Sequence, residues 1–135
     1  MRRLILGVFL GLFAIVAAGC EFSASTAHVT QVALARGYAN GAAVDATTTF
    51  QPTDTVHGVV TLGNAPDDTK LKAVWTAVDA GGGQYKNKKI DEAVVTTGGV
   101  ADFTLSNTQP WPVGTYQVEV YLNDTLVQTV PFSVQ

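Results

Sequence analysis

The chain has 135 residues, with 8 basic and 11 acidic side chains and a single cysteine, a length that sustains one buried core but not two. Charged residues make up only 14%, and no basic stripe is present, which excludes the electrostatic footprint of a nucleic-acid-binding surface. One thiol excludes an intrachain disulfide and any multi-cysteine metal site, so the fold rests on its packed core alone.

The N-terminus opens on a short positive run, Met1-Arg2-Arg3, followed by an uncharged apolar stretch from Leu4 to Val16. Such a stretch, if helical, spans about 20 Å, short of the roughly 30 Å hydrocarbon core. It therefore reads as the helix of a secretion signal and not as a stable transmembrane anchor. Small residues then lead to the cysteine, Ala17-Ala18-Gly19-Cys20. This tetrapeptide resembles the bacterial lipobox, with Ala17 where leucine is commonest. The resemblance implies a maturation in three steps. A diacylglyceryl group is attached to the Cys20 thiol, the Gly19–Cys20 bond is cut by the lipoprotein signal peptidase, and the new amine is open to acylation by a chain such as palmitate. Small side chains at Ala18 and Gly19 let a membrane-embedded protease reach the bond, and the thioether to the lipid is stable. On this reading residues 1–19 are the signal peptide, 20–27 the lipid anchor and tether, and 28–135 the domain. Glu21 to Ala27 reach at most ~25 Å. The processed chain keeps 6 basic and 11 acidic residues, a net charge of −5, which does not attract anionic headgroups. Membrane attachment then falls to the lipid on Cys20, and two or three acyl chains hold far better than one.

From His28 onward the apolar residues recur with period two, the signature of strands. Val32 and Leu34 mark a first strand, Gly37 to Ala46 a loop, Thr47 to Phe50 a short extended piece, and Pro52-Thr53-Asp54 a turn. Val56, Gly58, Val60 and Leu62 form the next strand. After a turn at Asn64 to Asp68, the residues Leu71, Ala73, Trp75 and Ala77 form an inward face. Asp79 to Lys89 reads as a flexible loop, Ile90 to Thr97 as a strand, and Phe103 and Leu105 as part of another. Ser106 to Gly114 is a long connection. Tyr116, Val118, Val120 and Leu122 alternate clearly, Asn123-Asp124 makes a two-residue hairpin turn, and Leu126, Val130, Phe132 and Val134 line the last strand. Pro131 inside that strand suits a sheet edge, because proline cannot donate to a ladder.

About seven short strands at regular spacing, and no helical stretch after the signal, point to an all-β, two-sheet sandwich of immunoglobulin or fibronectin type III kind. Trp75 lies mid-strand, where such sandwiches bury a tryptophan. The run from Trp111 to Tyr116 (WPVGTY) resembles the Pro-Gly-x-Tyr entry that places a tyrosine corner, and the run Trp111 to Asn123 is similar to the penultimate strand of uncharacterised bacterial cell-envelope lipoproteins. That similarity carries no activity with it.

The candidates for chemistry are sparse. His28 and His57 have no cysteine or carboxylate at metal-ligand spacing. Asp79, Asp91 and Glu92 lack the alternating pattern of a calcium loop and are opposed by Lys86, Lys88 and Lys89. Gly81-Gly82-Gly83 is followed by neither the lysine nor the helix of a phosphate cradle. No serine or threonine sits in a nucleophile elbow. No cofactor or metal site is expected. Contacts to a ligand or partner are instead expected from Tyr85, Lys86, Lys88 and Lys89 at the loop, and from Trp111 in the long connection, because binding residues gather on loops. The sequence thus predicts a non-catalytic binding or structural module of the cell envelope, facing the periplasm or the exterior, with an envelope protein or a glycan as partner. A carbohydrate-binding module using exposed aromatics is the alternative, and an enzyme ranks last.

Overall fold

A computed structural model describes residues 26–135; the signal segment, Gly19, Cys20 and the start of the tether lie outside the described residues. Nine strands follow one another: β1 (His28–Ala39), β2 (Ala42–Ala46), β3 (Thr49–Phe50), β4 (Val56–Gly63), β5 (Lys70–Ala80), β6 (Tyr85–Thr96), β7 (Val100–Leu105), β8 (Gly114–Leu122) and β9 (Thr125–Val134). They form a four-stranded sheet in the order β2-β1-β4-β7 and a five-stranded sheet in the order β3-β9-β8-β5-β6. All pairings are antiparallel except the two-residue pairing of β3 with β9. The fold is an all-β, immunoglobulin-like sandwich.

The core is the shared product of strands whose alternation matches the pleat. On β5 the residues Leu71, Ala73, Trp75 and Ala77 are all buried, facing Leu122, Val120, Val118 and Tyr116 across the ladder to β8. Trp75 crosses the space between the sheets. A Cβ placed on Gly58 of β4 would lie 3.2 Å from the end of its indole, so the glycine leaves the ring its room. Phe132 of β9 ties the aromatic cluster together. It meets Phe50 and Trp75 edge-on, with centroids 5.6 Å and 5.9 Å apart, and stacks on Tyr116 at 5.4 Å. Such contacts add to area burial.

The tyrosine corner that the sequence suggests is formed: the Tyr116 hydroxyl donates to the Pro112 carbonyl at 2.6 Å. Burial, with Tyr85 nearby, pushes the Tyr116 phenol above its ordinary pKa. Gly114, two residues earlier, has φ 155°, and a Cβ there would come within 2.3 Å of the Asp79 carbonyl oxygen and 2.5 Å of the Ala80 Cα. Only glycine lets β8 approach β5 this closely.

Four sequence readings are corrected. The strands number nine rather than about seven, because β2 and β3 are short additions. Gly37 to Ala46 is not a loop but most of a hairpin, in which β1 and β2 turn at Asn40 (φ 52°) and Gly41 (φ 76°), the left-handed pair that a tight hairpin requires. The flexible loop Asp79–Lys89 shrinks to residues 81–84, since β5 continues to Ala80 and β6 begins at Tyr85; three successive glycines with φ of 65°, 67° and 91° make the reversal. Leu126 does not face the core: a bulge between Val120 and Tyr121 in the β8–β9 register changes the phase, so Leu126 sits opposite Tyr121 and is 47% exposed. Asn123 and Asp124 do form the expected turn, with φ of 45° and 69°.

Truncating Trp75 to alanine is expected to cost roughly 3–5 kcal/mol through lost transfer energy and a cavity, a large share of the 5–15 kcal/mol typical of a domain. Tyr116→Phe should cost about 1 kcal/mol for the corner hydrogen bond. Gly114→Ala should cost more than the Tyr116 change, because it forces β8 off β5. Urea melts of the three variants give the ranking; a Gly114→Ala protein as stable as Tyr116→Phe would contradict the close approach.

Candidate functional site

The strands deliver a cleft to one end of the sandwich. β5 ends and β6 begins there, and the connection from β7 to β8 closes it from the other side. The cleft encloses about 240 Å³, and its lining includes Tyr85, Lys88, Lys89 and Ile90 from β6, Asn107, Trp111 and Pro112 from the connection, and Ala77 and Tyr116 as its floor. Four of the five contact residues expected from the sequence therefore come together: Tyr85, Lys88, Lys89 and Trp111. Lys86 does not join them; it is exposed opposite Asp79, with its aliphatic stem beside Gly83.

Each residue holds a different position. The Lys88 ammonium stands 5.3 Å from the centroid of the Tyr85 ring, within cation–π range. Lys89 pairs with Glu92, whose carboxyl is held below its ordinary range first by that hydrogen bond. Glu92 also faces Lys72 at 3.7 Å. Lys88 has no carboxylate within ion-pair distance among the described residues. Asn107 accepts from the Gln109 N–H through its side-chain oxygen at 3.4 Å.

Trp111 is not an exposed stacking platform. It is 7% exposed and fixed at two points, its backbone N–H donating to the Pro52 carbonyl at 2.7 Å and its Nε1–H to the Asp54 carbonyl at 3.1 Å. The ring is a wall of the cleft and a plug at the end of the sandwich, with no free face for a sugar. The turn it leans on is itself braced. The Asp54 carboxylate accepts from the Gln51 N–H at 2.8 Å and from Arg36 Nε at 3.0 Å, and Arg36 also reaches Asp45 at 3.2 Å and the Thr49 carbonyl at 2.9 Å. The Gln51 hydrogen bond first, then Arg36, hold the Asp54 carboxyl below its ordinary pKa.

The remaining candidates are dispersed. His28 is exposed, its Nδ1 2.8 Å from the Thr26 carbonyl. Asp91 bonds the N–H of Glu92, and Asp79 lies toward the far end of β5 from the Trp75 partner of Asp91. Among the described residues, no three histidine, cysteine or acidic side chains gather as a metal site would need. Sequence reasoning missed one pairing: His57 on β4 meets Asp102 on β7, with Nδ1 3.0 Å from both carboxylate oxygens. The two are separated by 45 positions, and only the β4–β7 register brings them together. Thr104 donates its hydroxyl to Asp102 at 3.4 Å, which is not the arrangement of a nucleophile hydrogen-bonded to its base. Asn107 was also missed, since an asparagine in a connection carries no periodic signal.

No family model matches the sequence, and no curated protein matches it. Among solved structures the chain is similar to an immunoglobulin-like protein from Pseudomonas aeruginosa, with a TM-score of 0.58 and 13% identity over 84% of this chain and 99% of that one. Weaker similarities are to the alkylpurine DNA glycosylase AlkC of Pseudomonas fluorescens (TM-score 0.48, 12% identity, 81% of this chain and 30% of that one) and to a β-glucosidase of Listeria innocua (TM-score 0.46, 13% identity, 81% and 16%). At these identities the likeness concerns the fold.

Asp54→Asn should destabilise the domain at neutral pH and also change its response to acid. A carboxyl with a depressed folded-state pKa contributes stability that is present above the ordinary value near 3.9 and is lost as pH falls through the folded value. Urea melts at pH 7 and pH 3 are expected to show a smaller acid-induced loss in the variant than in the natural protein; equal losses would show that Asp54 does not contribute.

Proposed function

We propose that the chain is a bacterial lipoprotein, held to the membrane through Cys20, whose sandwich is a non-catalytic binding or structural module facing the periplasm or the cell exterior. The observation that carries the anchoring is the sequence Ala17-Ala18-Gly19-Cys20 immediately after a 13-residue apolar stretch, eight positions before the first strand begins at His28. The binding half of the proposal is supported by the convergence of Tyr85, Lys88, Lys89 and Trp111 on one cleft. His28 pairs with Gly63, and this end of the sandwich also carries the β4–β5 turn and the Asn123-Asp124 hairpin, whose Asn123 N–H bonds the Lys70 carbonyl. The cleft lies toward the other end of β5, where Ala77 forms part of its floor, seven residues beyond Lys70 and therefore about 23 Å away. With a tether entering at His28, this separation supports a cleft facing away from the membrane.

A partner in the envelope, whether a protein or a glycan, would meet the domain at this outer end. The glycan reading keeps only Tyr85 as an aromatic contact, since the faces of Trp111 are covered.

The precursor with Cys20→Ser should accumulate uncleaved and incorporate no labelled fatty acid, while the natural sequence is both cleaved and labelled. Cleavage of the serine variant at the same bond would instead identify an ordinary secreted protein.

A further inference from the structure

The cleft has a chemical character that narrows what it takes. We infer that it binds a residue-sized apolar or aromatic group bearing a carboxylate, with the ring or branched chain against Tyr85 and Ile90 and the carboxylate on Lys88 and Asn107. This deepens the binding-module reading and rests on it.

Three observations lead there. The first is size: about 240 Å³ is below the several hundred Å³ of sites for drug-sized molecules, and it suits a single side chain or ring. The second is the pair of solvent-facing donors at the rim that no protein acceptor among the described residues occupies. Lys88 is a cation without a carboxylate partner among the described residues, in contrast to Lys89, which spends its charge on Glu92. The contact of Lys88 with the Tyr85 ring leaves its ammonium hydrogens able to donate. Asn107 uses its oxygen on Gln109, and its amide N–H groups have no partner among the described residues. An ammonium and an amide N–H₂ bordering one apolar cleft offer donors only, and a carboxylate supplies acceptors only. The third is electrostatic context. The processed chain carries a net charge of −5, so an anion is repelled by most of the surface. Lys88, in the cleft lining and without an ion-pair partner among the described residues, is the positive charge an anion meets there. Tyr85 and Ile90, half-buried in the lining, give a ring apolar surface to cover, and that burial supplies the attraction that an exposed ion pair alone lacks.

The same chemistry occurs in a free small acid and in the C-terminal residue of a polypeptide. The test uses the full chain in detergent micelles, labelled with nitrogen-15, and N-acetylphenylalanine as the probe, with N-acetylphenylalanine amide as its uncharged counterpart. The two indole N–H signals make the readout local: that of Trp111 reports the cleft, and that of Trp75, buried between the sheets, serves as the internal control. The acid is expected to shift Trp111, Ile90 and the Asn107 side chain while leaving Trp75 unmoved, and to bind about tenfold tighter than the amide, the difference of a charge-assisted hydrogen bond. Lys88→Gln should remove that tenfold preference, whereas Lys86→Gln, outside the cleft, should keep it. A peptide ending in free phenylalanine that binds tighter than the acetylated residue, with shifts extending along β6, identifies a polypeptide terminus as the source; equal binding identifies a small acid. Equal binding of acid and amide, or shifts that miss the cleft, overturns the inference. Either failure leaves the lipid anchoring intact, because the Cys20→Ser experiment reads it separately.

Discussion

The packing of Trp75 against Phe132 and the bare backbone of Gly58 is the contact from which the rest of the molecule follows. A tryptophan is wide enough to span the interior of a two-sheet sandwich, and its placement fixes the distance between the sheets. β4 accommodates the ring by having no side chain at Gly58, β9 meets its edge with Phe132, and Phe132 in turn engages Phe50 and Tyr116. Five strands from both sheets are thereby joined through one aromatic cluster. Interiors packed at crystal-like density transmit such constraints: Tyr116 can complete its corner with Pro112 only if β8 is held at the spacing this cluster sets, and the corner positions the connection that carries Trp111.

Much of this was legible in the sequence, for a definite reason. The alternation of Leu71, Ala73, Trp75 and Ala77, and of Tyr116, Val118, Val120 and Leu122, matches a pleat buried on one face, and register then follows from which side must be inside. What was hidden depends on residues whose pattern competes with the strand signal. The turn Asn40-Gly41 is the strongest short hairpin signature there is, but the alanines and glycines around it pack little and conceal the strands on either side. Lys86 to Lys89 read as a loop because charges at an edge strand face solvent on both sides, so β6 shows no alternation until Ile90. The reversal of phase at Leu126 comes from a bulge, which adds one residue to a strand without changing its composition.

The candidate site was legible by residue type and not by geometry. Tyr85, Lys88 and Lys89 stood out as a cluster, and Trp111 as a large apolar residue in a connection; that they share one cleft depends on the β5–β6 and β5–β8 registers. Trp111 illustrates the limit. Composition alone cannot distinguish an aromatic ring that offers its face from one that closes the end of a core, and the answer lay in two carbonyls, of Pro52 and Asp54, nearly sixty positions away. The His57–Asp102 pair was out of reach for the same reason.

Pro131 has a bearing on how such molecules coexist. It stands on β9 where β3 no longer covers the strand, since β3 pairs only with Ser133 and Val134. The edge of the five-stranded sheet is therefore interrupted by a residue with no N–H to offer. The opposite edge, β6, presents Lys86, Lys88 and Lys89, which repel their own kind. When molecules crowd together, any unguarded ladder would grow sideways from one to the next. A missing hydrogen on one flank and like charge on the other keep crowded neighbours from zipping into a lateral ribbon.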